Sequence, residues 1–357
     1  MLVALLQDQL VDALYAQRRS DYACPACHQR VGLRHGTRVQ PYFAHRPQSP
    51  CSILSEGETP QHIAGKRQLA AFFADWGPVT LEHVLPEIQQ RADCWVARPT
   101  RPPVALEFQC SPITTQQVWS RTTGYRRLGV HPLWLLGSRY ARQKLGWSLI
   151  ERFAQHLRGW GLCLLFWDVR RQRLRIDHHL YQDALGNYHG RTTWLATLSA
   201  LTAGNQQPLP KLVLNYPAWR SRLARDLHLK TPAVLAVQEH LYPLGHHLLD
   251  IPSTLATTAK TRPLFGQGLL IWRALVAAKL FALPTTTVAA ATVNRLAVSS
   301  FQVVGGHYRA VGVTADQSLE IAKRQLMADL ERQGYLRTVA AGWVILRPLR
   351  WVGEIKK

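Results

Sequence analysis

The apolar residues in the middle of the chain follow a helical period first and a strand period afterwards. Ile63, Leu69 and Phe73 recur at helical spacing, and Gly77-Pro78 ends the segment, which predicts a helix over residues 58–76. Runs rich in strand-forming residues follow, and a second helical pattern separates the third run from the fourth. These elements are predicted as strands 79–84, 91–97 and 104–110, helix 114–128 and strand 132–136. The predicted order is α, β, β, β, α, β.

The flanking segments are patterned differently. Residues 1–51 contain no long periodic segment. After the core, an amphipathic helix is predicted over 142–160 and then a hairpin. The strands of this hairpin are predicted at 162–169 and 173–177. Near the C-terminus, a predicted helix at 318–332 precedes a second hairpin at 335–339 and 343–346, and a helix followed by a hairpin is typical of a winged element.

The predicted hairpin 91–110 brings two carboxylates together. A loop at 98–103 places Asp93 nearly opposite Glu107, and Gln109 shares the face of Glu107 because strand side chains alternate. Asp and Glu are depleted in strands, yet both stand between core-forming residues. Paired carboxylates suit Mg²⁺ or Mn²⁺ and phosphodiester hydrolysis. The alternative is that they are solvated strand residues.

Each predicted helix of the core carries a polar stripe at i, i+4 and i+8. The first stripe is Glu58, His62 and Lys66, and the second is Gln117, Arg121 and Tyr125. Glu58 is a candidate third carboxylate, or else a first-turn Glu favoured by the helix dipole. The second stripe and His62 are candidates for gripping nucleic acid.

The N-terminal segment holds a candidate zinc site. Cys24 and Cys27 form a CxxC knuckle, His45 follows after 17 residues, and Cys51 lies beyond it. The absence of a second CxxC leaves Cys51 open as an ordinary thiol. The expected role is structural, and residues 1–55 are predicted as a separate small module.

Charge narrows the class of partner. The 357 residues include 43 Lys and Arg against 22 Asp and Glu, a net charge of +21, with 47% apolar residues. Such a chain folds and attracts polyanions, of which nucleic acid is the commonest, although anionic membranes remain possible. No signal peptide or membrane span is predicted, so a cytoplasmic location is expected.

Basic residues also populate the predicted C-terminal helix and hairpin. They are Lys323, Arg324, Arg332, Arg337, Arg347 and Arg350. This element, at 318–350, is either a winged DNA-binding element contacting phosphates or a plain packing domain.

Several of these motifs resemble the CoiA competence family. The matching segments are CPAC (24–27), YFAH (42–45), ETPQHIAGK (58–66), RAD (91–93), ALEFQCS (105–111) and RTTGYRRLGVHPLWLL (121–136). The resemblance covers about residues 1–170. It implies an α/β restriction-endonuclease-like PD-(D/E)XK core at 56–170. The rest of the chain, residues 171–357, is predicted as a mainly α-helical basic domain.

The resemblance also implies roles for the site residues. Asp93 and Glu107 correspond to metal ligands, and Gln109 stands where many relatives of the wider superfamily have a catalytic Lys, with Lys66 the nearest replacement. The implied function is processing or recombining DNA taken up during transformation, on single-stranded incoming DNA and with other recombination proteins. Two alternatives remain open, a DNA-binding scaffold without catalysis and a winged-helix regulator of duplex DNA.

Overall fold

The computed structural model describes residues 1–18, 20–36, 40–46, 51, 59–205, 208–306, 309–310 and 313–352. The chain divides into two compact units. Met1–His179 and Arg191–Gln207 form the first unit, and Leu180–Gly190 and Pro208–Lys357 form the second.

The first unit begins with a small antiparallel sheet. Its strands are β1 (Val3–Leu6), β2 (Gln9–Asp12), β3 (Tyr22–Ala23), β4 (Arg30–Arg34) and β5 (Tyr42–His45), in the order β2-β1-β3-β4-β5. Tyr22, Val31 and Phe43 pack together on its buried side. Strands this short give no long periodic pattern, which is why the sequence predicted none here.

The core of the first unit has the predicted element order. It comprises α1 (Pro60–Phe73), β6 (Val79–Leu85), β7 (Gln90–Val96), β8 (Val104–Gln109), α2 (Thr115–Arg127) and β9 (His131–Leu136). Thr59 caps α1 by accepting the His62 N–H at 3.2 Å. Gly77 follows the helix with φ +147°, and a Cβ there would lie 2.0 Å from the Ala97 carbonyl oxygen. The predicted order α, β, β, β, α, β is confirmed.

The prediction of one helix over 142–160 is wrong. Helix α3 (Ser138–Ala141) ends before this segment, which instead contains the short helix α4 (Trp147–Phe153) and the strand β10 (Gln155–Leu157). Ala154 is extended and ends α4. Gly159 then adopts φ +78° with its Cβ position 2.9 Å from the Gly204 Cα, and a left-handed residue cannot continue a helix. The apolar residues of this segment are mostly buried, as predicted, but their spacing was wrongly interpreted as that of one continuous helix.

Further strands and one short helix follow the core along the chain. They are β11 (Gly161–Asp168), β12 (Arg173–Gln182), β13 (Tyr188–Leu195) and α5 (Leu198–Ala203). The larger sheet runs β13-β12-β11-β9-β8-β7-β6, with β10 beside β11. Strand β9 is parallel to both β8 and β11, whereas β6, β7 and β8 are antiparallel. The predicted hairpin of β11 and β12 is confirmed.

The second unit is mainly helical. Its elements are α6 (Tyr216–His228), α7 (Pro232–Leu241), α8 (Leu269–Phe281), β14 (Thr287–Ala289), α9 (Ala290–Val303), β15 (Arg309–Ala310), β16 (Val313–Thr314), α10 (Ala315–Arg332), β17 (Leu336–Val339) and β18 (Gly342–Ile345). Strand β18 pairs with both β14 and β17. The predicted C-terminal helix and hairpin are thus confirmed as elements.

Helix α8 is the centre of this second core. It is apolar on all sides, and most of its side chains are buried. Its Arg273 is 1% exposed and donates to Asp329 Oδ2 of α10 at 2.6 Å. In the described part of the chain, no helix has the length and apolarity needed to cross a membrane.

Candidate active site and candidate metal centre

Strands β7 and β8 stop pairing where the two predicted carboxylates lie. Their ladder pairs Cys94 with Leu106 and continues to Val96 and Val104. At the next residue, Asp93, the side chain accepts in place of the backbone: its Oδ2 accepts the Phe108 N–H at 2.8 Å. The predicted register is correct to within one residue. The Asp93 side chain therefore replaces a backbone acceptor at the point where the ladder stops.

Helix α1 supplies the second partner of Asp93. The His62 Nε2 atom lies 3.1 Å from Asp93 Oδ2, and the His62 ring stacks 6.0 Å from the Phe108 ring. The close approach of the helix requires Gly65, where a Cβ would lie 2.0 Å from the Phe108 ring. Burial alone would raise the pKa of Asp93, but His62, Lys66 and the Phe108 N–H hold that pKa below its usual range. Asp93 is therefore ionised.

Helix α2 supplies the partners of Glu107. Arg121 Nη2 donates to Glu107 Oε1 at 2.6 Å, and the Tyr125 hydroxyl donates to the same oxygen. Arg121 also donates to the Arg91 carbonyl at 3.0 Å. Burial raises the pKa of Glu107, which Arg121 opposes and Asp93 reinforces. The environments of the two carboxylates thus displace their pKa values in opposite directions.

A third buried carboxylate, Glu82, was missed from the sequence. Glu82 has φ +54° and is skipped in the ladder between β6 and β7, which pairs Leu81 with Cys94 and His83 with Ala92. Its side chain is fully buried with Lys66, whose Nζ donates to Glu82 Oε1. The same oxygen accepts the Leu2 N–H at 2.8 Å. A Glu inside a predicted strand is the signal that points to Glu82, as it does to Glu107.

The charges of this cluster act on one another. Burial would raise the pKa of Glu82, but the Lys66 ammonium and Arg91 outweigh burial and lower it. Burial would lower the pKa of the Arg121 guanidinium, but Glu107 outweighs burial and raises it. Burial and then Glu107 raise the pKa of the Tyr125 hydroxyl. We call Asp93, Glu107, Glu82, His62, Lys66, Arg121 and Tyr125 the buried ionic cluster.

The remaining predicted site residues lie outside this cluster or outside the described residues. Gln109 is 6% exposed and donates from Nε2 to the Ser111 carbonyl at 2.9 Å. Gln117 caps α2, where its Oε1 accepts the Thr114 N–H at 3.0 Å. Glu58 falls outside the described residues. Contacts of His62, Gln117, Arg121 and Tyr125 with nucleic acid stay predictions.

The four predicted soft ligands do come together. One ligand atom from each of Cys24, Cys27, His45 and Cys51 lies within 4.8 Å of the others. The knuckle is shaped by the Ala26 N–H, which points to the Cys24 sulfur at 3.4 Å, and the Cys27 sulfur lies 3.3 Å from His45 Nε2. Burial and then Arg91 lower the pKa of His45, which favours the neutral imidazole that ligates metals. This cluster can hold a metal ion.

Comparison with known proteins gives the family. The family model "Competence protein CoiA, nuclease-like domain" matches residues 58–201, and the model "Competence protein CoiA, N-terminal domain" matches residues 6–54. The protein "Competence protein CoiA" of Bacillus subtilis (strain 168) is 33% identical over 129 residues, which span 36% of this chain and 34% of that relative. No solved structure matches the chain significantly. The chain belongs to the competence protein CoiA family.

Proposed function

We propose that this protein is a divalent-metal-dependent nuclease that processes DNA in transformation, with Asp93 and Glu107 at its active site. The observation that carries this proposal is the pair of carboxylates, the partly buried Asp93 and the buried Glu107, next to the last residue pair of β7 and β8, with pKa values displaced in opposite directions. Burying charge is costly, so clustered ionisable groups with displaced pKa values are typical of functional sites. The nuclease-like match at 58–201 favours the same function.

The element order supports a restriction-endonuclease-like core. Strands β6, β7 and β8 form an antiparallel meander, and α2 crosses over to β9, which is parallel to β8. Helix α1 contributes His62, which contacts Asp93, and α2 contributes Arg121, which contacts Glu107. Each carboxylate thus has a partner from a different helix. We propose the PD-(D/E)XK class for this core on these grounds.

The carboxylates fit a hard divalent cation. In the described part of the chain, hydrogen bonds reach Oδ2 of Asp93 and Oε1 of Glu107, and none reaches Oδ1 or Oε2. Those two oxygens are the proposed ligands of Mg²⁺ or Mn²⁺, which supplies an activated water and neutralises phosphate charge when bound. His62, Lys66 and Arg121 offset the carboxylate charge, so we expect weak metal binding that DNA phosphates strengthen.

The surrounding side chains hold the carboxylates in place. Arg121 and Tyr125 fix one oxygen of Glu107, and the Phe108 N–H with His62 fixes one oxygen of Asp93. Lys66 is paired with Glu82, so its role here is to lower the pKa of Asp93 through space. Gln109 brings no positive charge, and we assign it only to positioning through its amide.

A cleavage assay tests the proposal directly. We expect labelled single-stranded DNA to be cut when Mg²⁺ or Mn²⁺ is added and to stay intact when the metal is omitted. Duplex DNA of the same sequence gives the strand preference. If both DNAs are bound but neither is cut with either metal, the protein is the non-catalytic DNA-binding scaffold, an alternative that Gln109 in place of Lys favours.

The winged-helix regulator is less favoured. The order α8, β14, α9, α10, β17 and β18, with β18 central in its sheet, supports a winged helix. However, Lys323 and Arg324 both pair with Glu320, and Arg332 pairs with Asp329. Helix α10 carries four carboxylates, Asp316, Glu320, Asp329 and Glu331, against these three cations, so it has no net positive charge, which disfavours binding of duplex phosphates by this helix. We propose incoming single-stranded DNA in the cytoplasm as the substrate, with recombination proteins as partners.

For the Cys24, Cys27, His45 and Cys51 cluster we propose structural zinc. Three thiolates and one imidazole are a typical tetrahedral zinc set.

We expect one zinc per chain in the purified protein. The Cys24→Ser variant is expected to lose this zinc and to unfold the N-terminal sheet, because Cys24 is buried in that core. Metal analysis with near-ultraviolet circular dichroism measures both. Cys163→Ser is the control, since Cys163 is a buried thiol elsewhere, and equal zinc loss in both variants would contradict the assignment.

A further inference from the structure

The outer face of β4 and β5 carries an open groove of about 500 Å³. Along β4, Arg30, Gly32 and Arg34 are exposed, while Val31 between them is buried in the small core. Gly32 lies opposite Ala44 of β5. The floor at the middle of the strand pair is therefore made by the two smallest side chains, with an arginine at each end of the β4 side.

The groove is strongly basic. Arg18 and Arg46 line it together with Arg30 and Arg34, and all four are exposed. The described residues that line it include no carboxylate. Asp21 pairs with Arg30 from outside, but the two side chains are 78% and 67% exposed, so the pair is worth little and is screened by salt. The guanidinium groups are available to an anionic ligand.

The shape suits an extended polyanion. An ideal Cβ on Gly32 would meet nothing within 4 Å, so the floor is open to a ligand. Arg30 and Arg34 are separated by about 13 Å along an extended strand, the length of a few nucleotides. Tyr42, opposite Arg34, is half-buried and offers a ring for base stacking. The exposed apolar side chains Leu10 and Leu14 lie on or beside β2 at the other edge of the sheet, which disfavours a membrane surface as the ligand of this groove.

We propose that this arginine groove binds the sugar-phosphate backbone of single-stranded DNA, as a second DNA contact besides the Asp93 and Glu107 site. The choice of DNA among polyanions rests on the proposed function. The groove lies on the N-terminal sheet, whose core contains Cys24 and packs against Cys27 and Cys51. The candidate metal centre would then stabilise the strands that display the arginines.

Binding of a labelled oligonucleotide in buffer without Mg²⁺ or Mn²⁺ tests the groove. Each phosphate contact on a single strand adds about 0.7 to the slope of log affinity against log salt. Arg30→Ala with Arg34→Ala is expected to reduce the slope by about 1.4, and hence to weaken binding at 0.1 M salt about 25-fold. Gly32→Ile fills the floor without changing charge and is also expected to weaken binding.

Matched controls separate the groove from the general positive charge. Arg170→Ala with Arg173→Ala removes two exposed charges, one from the turn after β11 and one from the start of β12, and is expected to leave the slope nearly unchanged. Equal losses in the two double variants, or no loss with Gly32→Ile, would overturn the proposal. So would preferential binding to phosphatidylserine vesicles. Because these measurements contain no divalent metal, a failed cleavage assay leaves their result intact.

Discussion

Asp93→Asn is expected to reduce metal-dependent DNA cleavage by about 10³-fold, with the fold and DNA affinity retained. The Asn side chain can still accept the Phe108 N–H and face His62, so the local hydrogen bonds survive. What is lost is the negative charge that holds the cation. Losing about 4 kcal/mol of transition-state stabilisation corresponds to that factor. Initial cleavage rates of labelled DNA at saturating Mg²⁺ give the comparison.

Two companion variants make this result specific. Glu107→Gln keeps the acceptor for Arg121 and Tyr125 but removes the charge, so a similar loss is expected. Asp168→Asn is the control, because Asp168 is a carboxylate in the same unit that caps the turn after β11 by accepting the Arg170 and Arg171 N–H groups. Equal cleavage rates in Asp93→Asn, Glu107→Gln and wild type would refute the proposed site.

Lys66→Met is expected to lower the free energy of unfolding by about 3–5 kcal/mol, the cost of leaving a buried carboxylate without its cation. Glu82 and Lys66 are both fully buried. Replacing both residues should recover most of the loss. In Lys66→Met with Glu82→Gln, the neutral amide can still accept the Leu2 N–H that Glu82 accepts at 2.8 Å. Urea unfolding of the single and double variants measures the difference.

The pH dependence provides a second check on this pair. The pKa of Glu82 is lowered in the folded state, so its contribution to stability is present above the unfolded pKa of about 4.3 and is lost as pH falls below that value. In Lys66→Met the main lowering cause is gone and burial raises the pKa, so this variant should become relatively more stable as pH falls. The gap in the free energy of unfolding between wild type and variant should therefore be smaller at pH 4 than at pH 7. A constant gap would mean that Lys66 stabilises by packing alone.

The Lys66 and Glu82 pair also connects the N-terminal sheet to the nuclease-like core. Glu82 accepts the backbone N–H of Leu2, which is fully buried at the start of the small sheet. Lys66 belongs to α1, which also positions His62 beside Asp93. Loss of the pair should therefore disturb the docking of the small sheet and the placement of His62 together. If Lys66→Met cleaves DNA more slowly, the double variant Lys66→Met with Glu82→Gln shows whether the cause is structural, because recovery of stability should then also recover cleavage.

The sequence by itself determined the parts of the protein that depend on local pattern. Period, turn residues and strand alternation predicted the order of the core elements, the register that brings Asp93 to Glu107, and the C-terminal helix and hairpin. The CxxC knuckle with His45 and Cys51 predicted the metal-ligand cluster, because soft ligands at zinc-site spacing are a recognisable sequence signal. The helix predicted over 142–160 failed because Ala154 is extended and the following residues pair as β10 with β11, a contact that the local pattern does not specify.

Only the tertiary structure decided which side chains pair within the buried ionic cluster. Lys66 pairs with Glu82 and His62 with Asp93, although both side chains come from one predicted stripe on α1. Glu82 reaches its partners because of its positive φ and because Leu2, 80 residues away in sequence, lies within hydrogen-bond distance. Such pairings depend on burial and on contacts between distant segments, since a buried charge is stable only when a buried partner of opposite charge lies beside it. A helical or strand period specifies a direction for a side chain, whereas its partner depends on where the rest of the chain packs.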